Sequence, residues 1–313
     1  MSDQHPAKSR ARRSIIAGLA LIGALAAATA VSAQARAQPA PTSTTTTTTT
    51  TTTAAAFLGR WNYQTPQPAT GLNIANVSGN GYAEDFPQVG WIDFTRGHGD
   101  EVTGRTDQGC TWHFAVERKN RLQLAYPGQS CFNNVIGSRY QMNRWTVTVR
   151  GDREQEHIQA TSFLPSGDYS FTLADGARTK VTKTSGAAHG NGDWTFNPAN
   201  QATGVNIETV VTDSGQESRQ PVSGKLDITT TAPNKIRVRT PNGCQWKLNV
   251  AGNTAELAGA QTCRLPGGAA QTYTFWAMAV GRRHLYLVRS GSNASDDRQR
   301  TAFSLATGLL TRR

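Results

Sequence analysis

From residue 57 onward, apolar residues repeatedly alternate with polar ones. In Cys110, Trp112, Phe114 and Val116 every second position is apolar, with Thr111, His113 and Ala115 between them. Cys244, Trp246, Leu248 and Val250 alternate in the same way with Gln245, Lys247 and Asn249. A period of two is the mark of a strand buried on one face, so each Cys and Trp points inward. The return strands of hairpins are expected at Leu122 to Ala125 and Thr254 to Leu257, reversing at Arg118 to Asn120 and at Gly252-Asn253. Further strands are expected at Trp91 to Thr95, Lys225 to Thr229, Arg144 to Val149, Phe275 to Val280, His157 to Phe163, His284 to Arg289 and Asp168 to Leu173.

These strands come in two matched sets. Arg105, Thr106, Gly109, Cys110 and Trp112 return in order as Arg239, Thr240, Gly243, Cys244 and Trp246. Gly59-Arg60-Trp61 answers to Gly192-Asp193-Trp194, and Ala69 to Ile74 answers to Ala202 to Ile207. The displacement of 131 to 134 residues, somewhat less towards the end, is too long for a solenoid repeat. It marks a duplicated domain. Each copy reads as seven or eight short strands with tight turns and no helix, which predicts an all-β pair of tandem antiparallel domains, each a barrel or a sandwich. The expected division is a leader over 1–38, a Thr/Pro-rich linker over 39–56, a first β-domain over 57–181, a second linker over 182–191 and a second β-domain over 192–313.

The leader changes how the rest is read. Lys8, Arg10, Arg12 and Arg13 precede an apolar, Ala-rich run from Ile15 to Val31, and Ala-x-Ala triplets follow at once. Basic, then apolar, then small residues describe an export signal that is removed, so no transmembrane segment is expected in the mature chain. The destination is the periplasm, the cell surface or the medium. Thr44 to Thr53 is an unbroken threonine run that buries nothing and reads as a disordered tether. The whole sequence has a formal net charge of +11, but five Lys or Arg and one Asp lie in the first 38 residues, leaving the mature chain nearer +7. That surface is basic without a dense run. Nucleic acid is not an expected partner, because the aromatic residues sit at inward strand positions.

Four cysteines fall two to a copy, separated by 21 and 19 positions. Export, the even count and the doubled spacing predict Cys110–Cys131 and Cys244–Cys263 disulfides within the copies. No Cys-x-x-Cys or Cys-His cluster is present, so neither a metal nor another cofactor is expected.

Gly-x-Trp on a first strand, a meander of this length and an Arg near its end resemble the calycin barrels, the lipocalins and avidin-like proteins. That resemblance implies a first-strand Trp covered by an Arg from the barrel's last strand: Trp61 with Arg178, and Trp194 with Arg300. The disulfide in mid-domain departs from the pattern. The chain also resembles bacterial proteinase-inhibitor barrels, exported domains with Gly-x-Trp and one disulfide, although there the first Cys lies closer to the Trp.

No histidine clearly recurs between the copies apart from a His157/His284 match, and a duplicated active site should duplicate its base. No catalytic residues and no enzymatic activity are expected. If each barrel holds a ligand, Trp112, Trp145, Trp246 and Trp276 form the wall, and Arg105 and Arg239 grip an anionic end. If those Trp residues are simply core, the barrels are filled and the partner is a protein or the cell envelope. The recurring Asn73/Asn206, Gln129/Gln261 and Thr106/Thr240 have the same two readings, as pocket anchors or as satisfiers of turn backbone.

Overall fold

The computed structural model describes residues 54–133, 138–164, 167–182, 190–295 and 300–312. The expected leader, most of the tether and most of the second linker lie outside the described residues. The first copy comprises β1 Gly59–Tyr63, β2 Ile74–Gly79, β3 Tyr82–Pro87, β4 Trp91–Arg96, β5 Glu101–Thr106, β6 Thr111–Arg118, β7 Arg121–Leu124, β8 Gln129–Asn133, β9 Ser138–Arg150, β10 Arg153–Leu164 and β11 Gly167–Lys180. The second comprises β12 Gly192–Phe196, β13 Ile207–Thr212, β14 Glu217–Pro221, β15 Lys225–Ala232, β16 Lys235–Arg239, β17 Gln245–Ala251, β18 Thr254–Leu257, β19 Gln261–Arg264, β20 Ala270–Val280, β21 His284–Ala294 and β22 Arg300–Arg312.

Each copy closes into an eight-stranded antiparallel barrel. The first runs β1-β4-β5-β6-β7-β9-β10-β11 and is sealed by pairing of β1 with β11; the second runs β12-β15-β16-β17-β18-β20-β21-β22 and is sealed by β12 with β22. Of the two architectures the alternation allowed, the barrel is the one formed. Eleven strands per copy exceed the expected seven or eight. The extra ones are the β2-β3 and β13-β14 hairpins, which extend the sheet from the long last strand, and β8 and β19, which pair with the first half of β9 and β20.

Alternation does what it predicts. In β17 the burial pattern is strict, with Trp246, Leu248 and Val250 inside and Gln245, Lys247 and Asn249 outside. Cys110–Cys131 and Cys244–Cys263 are both formed, one in each half. Each ties the start of a barrel strand, or the residue before it, to the extra strand β8 or β19. Closing a 21-residue loop is worth about 3 kcal/mol in the chain-entropy model. Replacing Cys110 and Cys131 together by Ser is therefore expected to lower the melting point of the first barrel by about 10 °C. Calorimetry checks it; an unchanged midpoint would show that the bond closes no cost in the unfolded chain.

The two barrels differ at their bases. The indole N–H of Trp61 donates to the Phe57 carbonyl (2.6 Å) and that of Trp194 donates to the Gly190 carbonyl (2.7 Å), so Phe57 and Gly190 are equivalent. Phe57 is fully buried and plugs the first barrel. With Gly190 in its place, the second barrel retains a void of about 10 Å³ lined by Gly190, Ile236, Val250 and Val280. A Cβ at Gly190 would stand 3.7 Å from Ile228 and 3.8 Å from Val280, ordinary contact distances. Gly190→Ala is accordingly expected to stabilise the protein by about 0.5–1 kcal/mol, from the stiffer unfolded chain and the added contact. A lower urea midpoint would contradict this.

Candidate functional site

The expected ligand wall is core. Trp112, Trp145, Trp246 and Trp276 are at most 2% exposed, and they pack against their own barrels. Trp112 and Trp145 meet edge-on with ring centres 6.2 Å apart, and Tyr273 stands between Trp246 (4.4 Å) and Trp276 (4.9 Å). Arg105 and Arg239 are not with them. Both are exposed and occupy the outward parity of β5 and β16, between inward Gly104 or Val238 and the turn. Each lies directly across from an acid, Arg105 from Asp93 and Arg239 from Asp227. An outward arginine cannot grip a ligand held by an inward tryptophan.

The cations placed over the first-strand tryptophans also need correcting. Lys180 lies over Trp61 (5.3 Å) and Arg312 over Trp194 (5.6 Å). Arg300 is exposed at the start of β22, where its backbone N–H donates to Asp213. The cause is register. Arg178 pairs with Tyr63, and Leu310 pairs with the equivalent Phe196, so Arg178 corresponds to Leu310 and Arg300 to Asp168. By the same pairing His284 corresponds to Arg153, since both face the matched threonines Thr311 and Thr179. The His157/His284 match therefore dissolves.

Arg178 is instead the centre of a buried charge network. Its Nη1 donates to Glu154 Oε1 (2.8 Å) and to Glu156 Oε2 (2.5 Å), and its guanidinium lies 4.0 Å from the Tyr63 ring. The Trp145 indole N–H also donates to Glu156 Oε2 (2.8 Å). Burial, with help from neighbouring Glu156, pushes Glu154 up to about 7 against the pull of Arg178. Burial likewise raises the Tyr63 phenol well above its usual value. Asp107 lies nearby, its Oδ2 enclosed and without a partner among the described residues; burial and the charge of Glu256 push it up to about 7.

The second barrel has replaced this network. Tyr63, Glu154, Glu156 and Arg178 correspond by strand register to Phe196, Leu285, Leu287 and Leu310. It carries its own cation elsewhere: Arg289 donates to Glu208 (3.0 Å) beneath Phe196, Tyr273 and Trp276. Arg289 stands where the first barrel has Ile158. Sequence reasoning missed both arrangements, although parity held the signal. Glu154 and Glu156 share the inward phase of Ile158 and Ala160, and an acid at an inward position calls for a buried base.

The recurring polar residues serve the backbone. Asn73 and Asn206 are fully buried in left-handed conformation (φ 55° for both). Asn73 donates to the Gln64 and Ala177 carbonyls and accepts from the Ala177 N–H; Asn206 repeats this with Asn197 and Leu309. Gln129 brackets the N–H and C=O of His113 at 2.8 Å each, and Gln261 brackets Lys247 at 2.9 and 2.7 Å. Thr240 accepts from the Trp246 indole (3.1 Å), and its one hydroxyl proton is shared between Asn242 Oδ1 (2.6 Å) and the Cys244 carbonyl (3.2 Å) in the turn. None is an anchor in a pocket.

What the structure does bring together is the junction of the barrels. Glu256 of the second barrel accepts from Arg60 (3.0 Å) and from the Trp91 indole (2.5 Å) of the first, while Arg60 stacks on Trp91 at 4.4 Å. Asn62 donates to the Ala251 carbonyl (2.5 Å) and Asn253 donates to the Tyr63 carbonyl (2.9 Å). Beside these contacts runs a groove of about 720 Å³ with walls from both barrels. Among the described residues, no cluster of three or more His, Cys, Asp or Glu could hold a metal ion, and no helix is long and apolar enough to cross a membrane.

No family model matches the chain, and no curated protein is similar to it. Among solved structures, a provisionally assigned outer membrane protein of Bacteroides fragilis NCTC 9343 aligns over 84% of this chain and 100% of its own, at 7% identity and a TM-score of 0.27. Similarity of that order carries no argument, and the fold rests on the strand pairing described above.

Proposed function

We propose that this is an exported, non-enzymatic binding module that acts through its outer surface and the junction of its barrels, on a protein or envelope partner. The observation that carries the reading is that both barrel interiors are filled by their own side chains, with five tryptophans at most 1% exposed among them. A carrier in the lipocalin manner needs a hollow interior of hundreds of Å³. Calycin kinship in architecture is supported by the closed eight-strand meander and by a last-strand cation over each first-strand Trp, Lys180 and Arg312. Export is supported by the leader sequence and by two disulfides, which persist in oxidising compartments.

Outward positions of β15 to β17 include Lys225, Asp227, Arg237, Arg239 and Lys247, whereas a membrane barrel turns an apolar band outward. The test is native mass spectrometry of the protein recovered from the exported fraction of cells expressing the full chain. The expected mass is that of the polypeptide shortened at its leader. A stoichiometric extra mass removed by organic extraction would overturn the filled-barrel reading, and an uncleaved leader would overturn export.

A further inference from the structure

From the groove between the barrels we infer a binding site for an acidic oligosaccharide, a site that neither copy possesses alone. The inference rests on the reading of the protein as a module that works through its surface and junction. The groove's volume, about 720 Å³, falls in the range of small-ligand sites. Its first wall is the outer face of β1, β11 and β10, where Asn62, Thr179 and Arg153 stand in one cross-strand row. Three strands at about 4.8 Å spacing make a row of about 10 Å, the length of two sugar rings. Gly252, Asn253 and Val280 of the second barrel form the opposite wall.

The chemistry of the lining selects the ligand. Gln64, Thr65, Gln67, Thr179 and Arg153 line the groove and make no side-chain hydrogen bond to any described residue, unlike the recurring Asn and Gln residues spent on backbone. Amides and hydroxyls donate and accept at once, which suits ring hydroxyls that do the same. Lys180 is spent over Trp61 and on the Ala56 carbonyl, but the lining cation Arg153 has no ion pair among the described residues, so a carboxylate or sulfate on the sugar is favoured over a neutral one. An extended peptide would seek an unpaired strand edge. None is offered here, because β1, β10 and β11 are each paired on both sides within the closed barrel.

The walls are fixed in place by bonds that the ligand does not need. Asn62 to Ala251, Asn253 to Tyr63 and Arg60 to Glu256 pin one barrel to the other, so the cleft is preorganised. With no aromatic platform among its lining residues, affinity should be modest.

The test is calorimetric and NMR titration of the whole mature chain with trigalacturonate, a hyaluronan tetrasaccharide and a chondroitin sulfate disaccharide, beside maltotriose and a penta-glutamate peptide. At least one acidic saccharide should bind one to one. Amide shifts should move on both walls, at Thr179 and at Asn253. Arg153→Gln and the pair Gln64→Ala with Gln67→Ala, all at positions without side-chain bonds, should each weaken binding at least tenfold without moving the melting point. Glu256→Ala, which loosens the junction, should weaken it as well while leaving every groove side chain present. Failure of all three acidic saccharides, equal binding of maltotriose, tighter binding of the peptide, or shifts confined to one barrel would each overturn the inference. None of these outcomes touches the filled interiors, so the wider functional reading would stand or fall separately.

Discussion

Arg178→Leu is expected to destabilise the first barrel by about 3–5 kcal/mol at pH 8, while the fourfold change Tyr63→Phe, Glu154→Leu, Glu156→Leu and Arg178→Leu should restore stability to within about 1 kcal/mol of the parent or above it. The single change leaves Glu154 and Glu156, both under 5% exposed, without the cation that compensates them. Burying an unpaired carboxylate is among the most costly things a mutation can do. The fourfold change removes the whole set and installs what the second barrel already uses at the same register positions, Phe196, Leu285, Leu287 and Leu310. Its residual cost is the Trp145 indole N–H, which loses its acceptor Glu156; in the second barrel the matching Trp276 N–H has no partner among the described residues either. Urea unfolding followed by tryptophan fluorescence reads both. A loss under 1 kcal/mol in the single variant would mean that water reaches the network, and a fourfold variant as weak as the single one would mean that the ions specify the packing of this barrel.

The barrel strands, the duplication and both disulfides were legible because each rests on a local or doubled signal. Alternation around Trp112 and Trp246 sets which face is buried, and the spacing of 21 and 19 between cysteines repeats it. The β2-β3 hairpin was legible in principle, since its turn is Asn80-Gly81 with φ of 50° and 75°, the pair that a two-residue hairpin turn requires. The flanking strands hide it, because Ile74–Gly79 and Tyr82–Pro87 have no clean alternation of burial. What failed was residue matching at the end of the repeat. Arg178-Thr179 and Arg300-Thr301 look alike, yet strand pairing matches Arg178-Thr179 to Leu310-Thr311. Identity misled because the two copies solved the same interior differently, one with Arg178 and two acids, the other with Arg289 and Glu208. Likewise Arg105 and Arg239 recur and still face solvent. Parity decides which side of a sheet a residue serves, and recurrence does not.

The same asymmetry should make the stability of the two barrels respond differently to pH. Glu154, whose carboxyl sits near 4.5 when free, is raised to about 7 in the fold by burial and by Glu156, against Arg178. Asp107, near 3.8 when free, is raised to about 7 by burial and by Glu256, against Arg178, Arg60 and the N–H of Gln108. A carboxyl with a raised folded value binds more protons folded than unfolded across that interval. Its stabilising contribution is therefore complete below about pH 4 and lost as pH rises to about 7, after which it is flat. For the fully buried Glu154 the loss is of the order of 3 kcal/mol, and Asp107 adds to it. The second barrel has Leu285 in place of Glu154 and Pro241 after Thr240 where the first has Asp107 after Thr106, so it lacks both groups. Hydrogen exchange measured on peptides of each barrel from pH 5 to pH 8, corrected for intrinsic rates, should show protection falling in the first barrel and changing little in the second. Glu154→Gln should flatten much of the first barrel's profile. It should also shrink the penalty of Arg178→Leu at pH 8, because an amide needs no counter-ion. A first barrel that gains protection as pH rises would show that the carboxylates are stabilised as anions, and that Arg178 outweighs the cost of burying them.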